Sequence, residues 1–592
     1  MRVWELLIPL ILFLIAFIPR FLTAKKLRMT WEEIYPLCGC IFLKNIVTLN
    51  FSPKAWNFMP RPPVLMYLYG LGYSIYTFIR ASLKYGLRKL NYGLLVTEAS
   101  SLTSSSSSLV AMRLPPVILG SLSSVIVYAF ALDLFGDIRI ALLSALILAL
   151  TPHFIAQSSV AASDGGLASF WLFTSWSLYR AITLESFWYL LLSAILLGLT
   201  LGSKETGFLY PLATMPWLVF SSLVNYELLH ALRLIFIWLL IGMVVLYVCW
   251  PFIWRKPLTN LLWLVRAYTN IPRGLHAAGF YRGTSKPKPD FYVVNLIVTS
   301  PLYLLPLYAV GMLEVAFHSN AISSILLFSW VLIPLVILSL PITEYRDGVR
   351  QIMFILPALS IFAGAGLWGV VNYLSQVFPE FGWIAYLSAI AVVGLIAFEC
   401  FTIHPYYLDY YNQLVGGIKG AANNYLVGWW GNGMGPALAY VDQHAPLNST
   451  IWIYGPKTTA FYHSKRVNLE TSFQDGPFFT AIPPLPSGFT SSINERTLLS
   501  LRKGDLTFYF PYYHPNKHNG LRLDQLSSEN VSYIIIYRRQ SYPGQVDPGN
   551  YKLITTLLEH HNPAYTVRIK GIEYCWVFDV KSIKHMLAMK PV

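Results

Sequence analysis

Charge is the scarcest resource of this 592-residue chain: Asp, Glu, Lys and Arg together make up 12% of it, about half of what a soluble domain carries. With 55% of its residues hydrophobic, a water-exposed fold has no means of hiding the apolar surface, so a soluble globular protein is excluded. Cysteine is rare too. Cys38, Cys40, Cys249, Cys400 and Cys575 are too few and too irregular for a disulfide scaffold or a zinc knuckle, and Cys38-Gly39-Cys40 is too tight for an ordinary bridge. Met1-Arg2-Val3-Trp4-Glu5 runs into an apolar block without a small-residue cleavage site, so an uncleaved first span is expected. A basic stripe interleaved with polar recognition residues is also missing. The formal charge of +15 is scattered over the chain, which argues against nucleic acid and for anionic lipid or a phosphate-bearing substrate.

What is present is a series of apolar blocks, in a chain of mean hydropathy +0.52, each near the roughly 17 to 25 residues a helix needs to cross a bilayer. The blocks lie at 6–23, 114–135, 140–157, 166–183, 187–202, 207–224, 231–253, 291–313, 320–341, 351–374 and 383–403. They predict an α-helical polytopic membrane protein of about eleven transmembrane helices. Trp and Tyr gather at block ends, as at Trp250, Trp254 and Tyr303, in the manner of interfacial belts. The stretch 64–79 is apolar but short, and Arg80, Lys84, Arg88 and Lys89 follow it. An interfacial helix fits it better than a crossing. The Ser-rich run Ser104 to Ser108 reads as flexible.

Past residue 404 the character changes to short β-rich runs, at 450–454, 533–537 and 575–579, with a helix near Tyr551 to His560. The expected division is therefore a transmembrane catalytic domain over 1–403, with external loops 24–113 and 254–290, and a soluble α/β domain over 404–592. With the N-terminus in the cytoplasm, an odd span count puts that second domain on the extracytoplasmic side of the cell membrane. Lys25, Lys26 and Arg28 then fall outside, against the positive-inside rule. The orientation rests instead on parity, which brings every loop bearing candidate chemistry to one face.

Those loops carry the candidate residues. Glu32 and Glu33 follow the first span; either could accept a proton from an attacking hydroxyl, or the pair could be a solvated helix start behind a Thr30 cap. Asp164 sits at a span edge, as a functional carboxylate or as an N-cap. Lys204 in Gly202-Ser203-Lys204-Glu205-Thr206 could meet a phosphate with Glu205 orienting it, or simply close the turn with that glutamate. Arg346 and Arg350 open the tenth span; their forks suit phosphate oxygens, Arg346 ahead of Arg350, with snorkelling as the plain alternative. His276, in the long loop 254–290, could be a metal ligand or a sugar contact, or, as a lone histidine more often is, neither. Trp429 and Trp430 lie among glycines after the last span, where paired aromatics anchor an interface.

The acidic pair after the first span, then Trp56, then Arg61-Pro62-Pro63, resembles the first external loop of the protein O-mannosyltransferases (glycosyltransferase family 39) and their GT-C relatives, the lipid A aminoarabinose transferases among them. Arg113-Leu114-Pro115, Leu134-Phe135-Gly136, Thr151-Pro152-His153 and Ser163-Asp164 continue the family's order. The resemblance implies a catalytic carboxylate from the acidic pair; the family's Asp aligns with Glu32, and Glu-Glu in place of Asp-Glu leaves open which one serves. Arg61 stands where the family has His, as a phosphate or headgroup contact. The tryptophan pair is similar to the acceptor-reading motif of oligosaccharyltransferases, but Gly431 and Asn432 replace its Asp and Tyr.

The implied function is inverting transfer of a sugar, mannose or another hexose, from a polyprenyl- or dolichyl-phosphate carrier to a hydroxyl of a protein or glycolipid acceptor. No cofactor is required, and no metal site is expected. The partners are membrane lipid, the lipid-linked sugar and the acceptor, not nucleic acid. The alternatives are a transferase working on lipid-linked oligosaccharide, by extension or transfer to Asn, and a lipid flippase, which should show inverted repeats.

Overall fold

A computed structural model describes residues 3–33, 62–91, 106–254, 256–262, 280–341, 347–428, 430–447, 449–455, 499–503, 506–510, 531–546 and 548–587, with positions 49, 94, 95, 98 and 345. Arg61, His276, Arg346 and Trp429 lie outside the described residues.

Each of the eleven apolar blocks is helical. Among the described residues seven helices are long and apolar enough to cross a membrane, and two bent pairs would raise the number to nine. The other two blocks are Phe187–Leu201, which is shorter, and Ser163–Thr183, whose Ser, Thr and Asp make it less apolar. The latter is buried along most of its length inside the bundle, where neighbouring helices stand in for lipid. The result is a polytopic α-helical protein with a C-terminal α/β unit.

Two bends decide where the site lies, and each leaves backbone carbonyls that hydrocarbon cannot satisfy. Between Ile138–Leu150 and Pro152–Ser158 the path turns by 62° at Pro152. The wholly buried Arg20, from the helix Val3–Lys26, spans that bend: its Nη1 donates to Ala149 O at 3.0 Å and its Nε to Ser158 Oγ at 2.8 Å. The second bend, 113° between Phe291–Thr299 and Leu304–His318, is held by Asn412, whose Nδ2 donates to Ile297 O at 2.6 Å and Ser300 O at 2.8 Å. Both bends are thus fixed by polar side chains from distant segments.

Helices Leu304–His318 and Leu356–Val377 approach most closely at glycines. A Cβ on Gly311 would lie 1.7 Å from Phe362 O, and one on Gly366 would lie 2.3 Å from Leu307 O. Close approach of this kind is how helices pack without a hydrophobic driving force between them. Gly311→Ala is expected to destabilise the bundle by about 1–3 kcal/mol through overpacking, read as a lowered unfolding midpoint in detergent; an unchanged midpoint would contradict this packing.

One expectation needs correction and a second needs a longer helix. The helix expected from 114 begins at Ser106, so the later part of the serine run is its first turn rather than a flexible segment. The stretch 64–79 belongs to a longer helix, Val64–Tyr85. That helix buries Leu65, Tyr69 and Tyr73 against Met29, Met112 and Phe170 and exposes Leu71, Ile75, Phe78 and Leu83 on its other side; it is not among the helices apolar enough to cross.

Beyond Ile403 the described strands form one sheet in the order β2-β3-β1-β4-β6-β5, with β1 Thr450–Tyr454, β2 Leu499–Lys503, β3 Leu506–Phe510, β4 Val531–Tyr537, β5 Tyr565–Ile569 and β6 Ile572–Asp579. β1 runs parallel to β3 and β4, and the remaining pairs are antiparallel. Alternation splits β4 between two cores. Ile534 and Ile536 pack with Leu553, Ile554 and Leu557 of the helix Pro548–His560, while Tyr533, Ile535 and Tyr537 join the core that is continuous with the helical bundle. The sheet is therefore seated on the bundle, not tethered beside it.

Candidate functional site

The acidic pair stands on a 3-10 turn, Trp31–Glu33, immediately past the first helix. Neighbouring residues on such a turn diverge, and these two carboxylates part company. Glu33 points inward and is wholly buried. Its Oε1 accepts from Arg113 Nε at 2.6 Å and Ala161 N at 3.0 Å, and its Oε2 from Arg113 Nη2 at 2.7 Å and Thr30 N at 2.8 Å. Arg113 spends its remaining donors on the carbonyls of Ala24, Leu27 and Arg28, so it also caps the end of the first helix. Thr30 does not cap with its side chain; Glu33 reaches back to its backbone N–H instead. Both oxygens of Glu33 are engaged by an ion pair and amides.

Glu32 turns the other way. Its Oε2 meets Arg350 Nη2 at 2.8 Å, with about a tenth of the side chain exposed. Arg350, in the 3-10 segment Gly348–Ile355, also holds Asp164 through Nε–Oδ2 at 2.6 Å and Asp347 through Nη1–Oδ2 at 3.3 Å. Asp164 lies in the first turn of Ser163–Thr183, whose N-cap is Ala162. It is therefore not the cap, though the helix dipole there favours its charge. Its Oδ1 takes Lys204 Nζ at 2.5 Å, and Lys204 Nζ also donates to Gln351 Oε1 at 3.0 Å. The partner of Lys204 is thus Asp164, not Glu205, which opens the following 3-10 turn Glu205–Phe208.

The backbone brings these groups together by tight contacts. A Cβ on Gly165 would lie 2.5 Å from Gln157 O, so glycine there lets the helix start fold against the preceding one. Tyr69 O–H donates to Ala162 O at 3.2 Å and pins that turn from the side. Val64 N donates to Gly202 O at 2.9 Å, which places the Lys204 turn beside it.

Trp430 covers Arg350, its ring centroid 5.6 Å from the guanidinium carbon. It has φ 56° in a run where Gly428, Gly431 and Gly433 are also positive. That loop is held by Asp409, whose Oδ1 accepts from Gly428 N at 3.0 Å and whose Oδ2 accepts from Tyr574 O–H at 2.7 Å. Burial first, and the charge of Asp409 second, push the Tyr574 phenol well up, so it stays protonated and donating. A small cavity beside Arg350 is lined by His153, Asn295, Thr299, Asp347 and Tyr411 among others. Among the described residues no three His, Cys, Asp or Glu side chains are grouped as metal ligands.

The structure thus gathers Glu32, Asp164, Lys204, Arg350 and Trp430, and sets Glu33 apart in its own ion pair. Sequence reasoning did not weigh Arg113, Asp347 and Gln351 as site residues. An arginine inside an otherwise apolar helix was the available signal for Arg113; Asp347 and Gln351 flank Arg350 and carried none of their own.

Residues 95–254 match the family described as dolichyl-phosphate-mannose-protein mannosyltransferase. The chain resembles this GT-C family. The mannosyltransferase-like stretch holds Arg113, Asp164 and Lys204, while Glu32 precedes it and Arg350 follows. No curated protein matches the sequence. Among solved structures the chain is similar to ArnT from Cupriavidus metallidurans bound to undecaprenyl phosphate, at 12% identity and TM-score 0.49, over 97% of this chain and 98% of that one. It is also similar to the archaeal oligosaccharyltransferase AglB from Archaeoglobus fulgidus, in complex with an inhibitory peptide and a dolichol-phosphate, at 14% identity and TM-score 0.43, over 93% of this chain and 72% of that one.

Proposed function

We propose that this protein is an inverting glycosyltransferase that moves a sugar, mannose or another hexose, from a polyprenyl- or dolichyl-phosphate carrier to a hydroxyl of a protein or lipid acceptor. The observation that carries the reading is the convergence of Glu32, Asp164, Lys204 and Arg350, from four separate segments, in one buried cluster at helix ends. Ionisable groups so placed in an apolar bundle are costly and are kept for function.

In this reading the acceptor oxygen bonds to the anomeric carbon and passes its proton to Glu32. The bond from the anomeric carbon to the phosphate oxygen breaks on the opposite face, and its electron pair leaves with the polyprenyl phosphate. The phosphate gains one negative charge, which Lys204 and Arg350 neutralise. Without donor those two cations rest on carboxylates, and a phosphate would compete for them. Asp164 keeps both aimed, and Trp430 stacks over Arg350 at the acceptor side. We assign the chemistry to residues 1–403 on the extracytoplasmic face, with the N-terminus in the cytoplasm and 404–592 outside.

The test is transfer of radiolabel from a panel of polyprenyl-phosphate sugars by the purified protein. Label is expected to move from at least one of them to a hydroxyl acceptor, and transfer only from a diphosphate-linked oligosaccharide to Asn would replace this reading. Lys204→Gln should lower kcat/KM roughly 10- to 100-fold, the worth of one charge-assisted hydrogen bond. Wild-type kcat/KM in that variant would remove Lys204 from the donor site.

A further inference from the structure

We propose that Arg539, carried by the C-terminal sheet, is a positioning residue of the transfer site that acts through Asp347 on Arg350; this rests on the proposed transferase reading of Arg350. Arg539 lies in the turn Arg538–Ser541 directly after β4. Its neighbour Arg538 fastens that turn to the bundle exit, with Nη2 donating to Ala422 O and Nη1 to Glu573 O, both at 3.0 Å. Tyr542 O–H donates to Ala422 O at 2.9 Å beside it. From this fixed base Arg539 Nη2 reaches Asp347 Oδ1 at 2.9 Å, a contact that is nearly nine-tenths buried on both sides.

Three features make this more than a docking contact. Asp347 has φ 51°, a conformation that costs a non-glycine residue roughly 1 kcal/mol, so its carboxylate is held between the two arginines against a local penalty. Among the described contacts, Arg350 faces three carboxylates: it touches Asp164 at 2.6 Å and Glu32 at 2.8 Å but Asp347 only at 3.3 Å. Asp347 makes its shorter contact with Arg539, which leaves the closest contacts of Arg350 to Glu32 and Asp164. Finally, among the described residues the ion pairs that link this cluster join three carboxylates, Glu32, Asp164 and Asp347, to three cations, Lys204, Arg350 and Arg539. Removing Arg539 turns Arg350 towards Asp347 and away from the base and the donor phosphate. Removing Asp347 as well restores the balance.

The experiment compares Arg539→Gln, Arg539→Lys, Asp347→Asn and the double variant D347N/R539Q in the full-length protein, reading kcat, donor KM and the unfolding midpoint. Arg539→Gln should lower kcat about tenfold or more with a smaller change in KM, and the double variant should recover about tenfold of kcat over Arg539→Gln, a coupling of the size contacting charges show. Arg539→Lys should stay within about threefold of wild type, because it keeps the charge. Wild-type kcat in Arg539→Gln overturns the proposal. So does a double variant as slow as Arg539→Gln with a parallel fall in unfolding midpoint, because that outcome makes the contact a docking bond alone. A wild-type protein inactive with every lipid-phosphate donor overturns the transferase reading, and this proposal with it.

Discussion

Glu32→Gln is expected to lower the rate of sugar transfer by about 10²- to 10⁴-fold, the usual worth of a general base, with donor KM and the unfolding midpoint near wild type. The amide is nearly isosteric and can still accept from Arg350, so the contact at 2.8 Å survives while the proton acceptor is lost. Glu33→Gln separates the two carboxylates experimentally. There the amide NH2 would face the donors of Arg113 and the N–H of Ala161 or Thr30, so stability falls first and activity follows it. Transfer assays paired with thermal unfolding check both, and full activity in Glu32→Gln would remove it as the base.

Arg113→Leu should destabilise the protein by about 3–5 kcal/mol, the effect of leaving one partner of a buried ion pair alone. Both side chains have zero exposure, and four carbonyl and carboxylate groups lose their donors at once. The loss lands on the end of the first helix, the turn that carries Glu32, and Ala161 three residues before Asp164, so the substitution should unsettle the site as well as the bundle. Replacing both members of the pair, in Arg113→Leu with Glu33→Leu, should be much less destabilising than either single change, since no charge is then stranded. Equal losses in single and double variants, measured by thermal unfolding in detergent, would contradict this account of the pair.

The helical bundle was legible because a membrane span needs a length of apolar residues that nothing else requires, and each expected block is helical, two of them as bent pairs of helices. What blurred the edges was polarity: the start at Ser106 was hidden by serines, which reach back to helix carbonyls as readily as they make loops. In the sheet, β1, β4 and β6 were visible as β-branched and aromatic runs. Leu499–Lys503 and Tyr565–Ile569 are strands whose mixed polar residues make no clear pattern. The site was legible as a set of polar residues at span ends. Its wiring was not, since the direction of Glu33 is set by Arg113, 80 residues away, and the partner of Lys204 is Asp164 rather than its neighbour Glu205. Arg539, 192 residues from Asp347, follows no local rule at all. Long-range ion pairs are choices of tertiary structure, and no window of sequence contains both ends.

The stereochemistry of the product tests the central claim most directly. With a polyprenyl-phosphate sugar of known anomeric configuration and a hydroxyl acceptor, proton NMR of the glycoside formed at early times should show the inverted anomer, because Glu32 acts as base and the acceptor attacks opposite the phosphate. A retained anomer would mean that a side chain had first displaced the phosphate and formed a covalent sugar intermediate, and the single in-line displacement assigned to Glu32, Lys204 and Arg350 would be wrong.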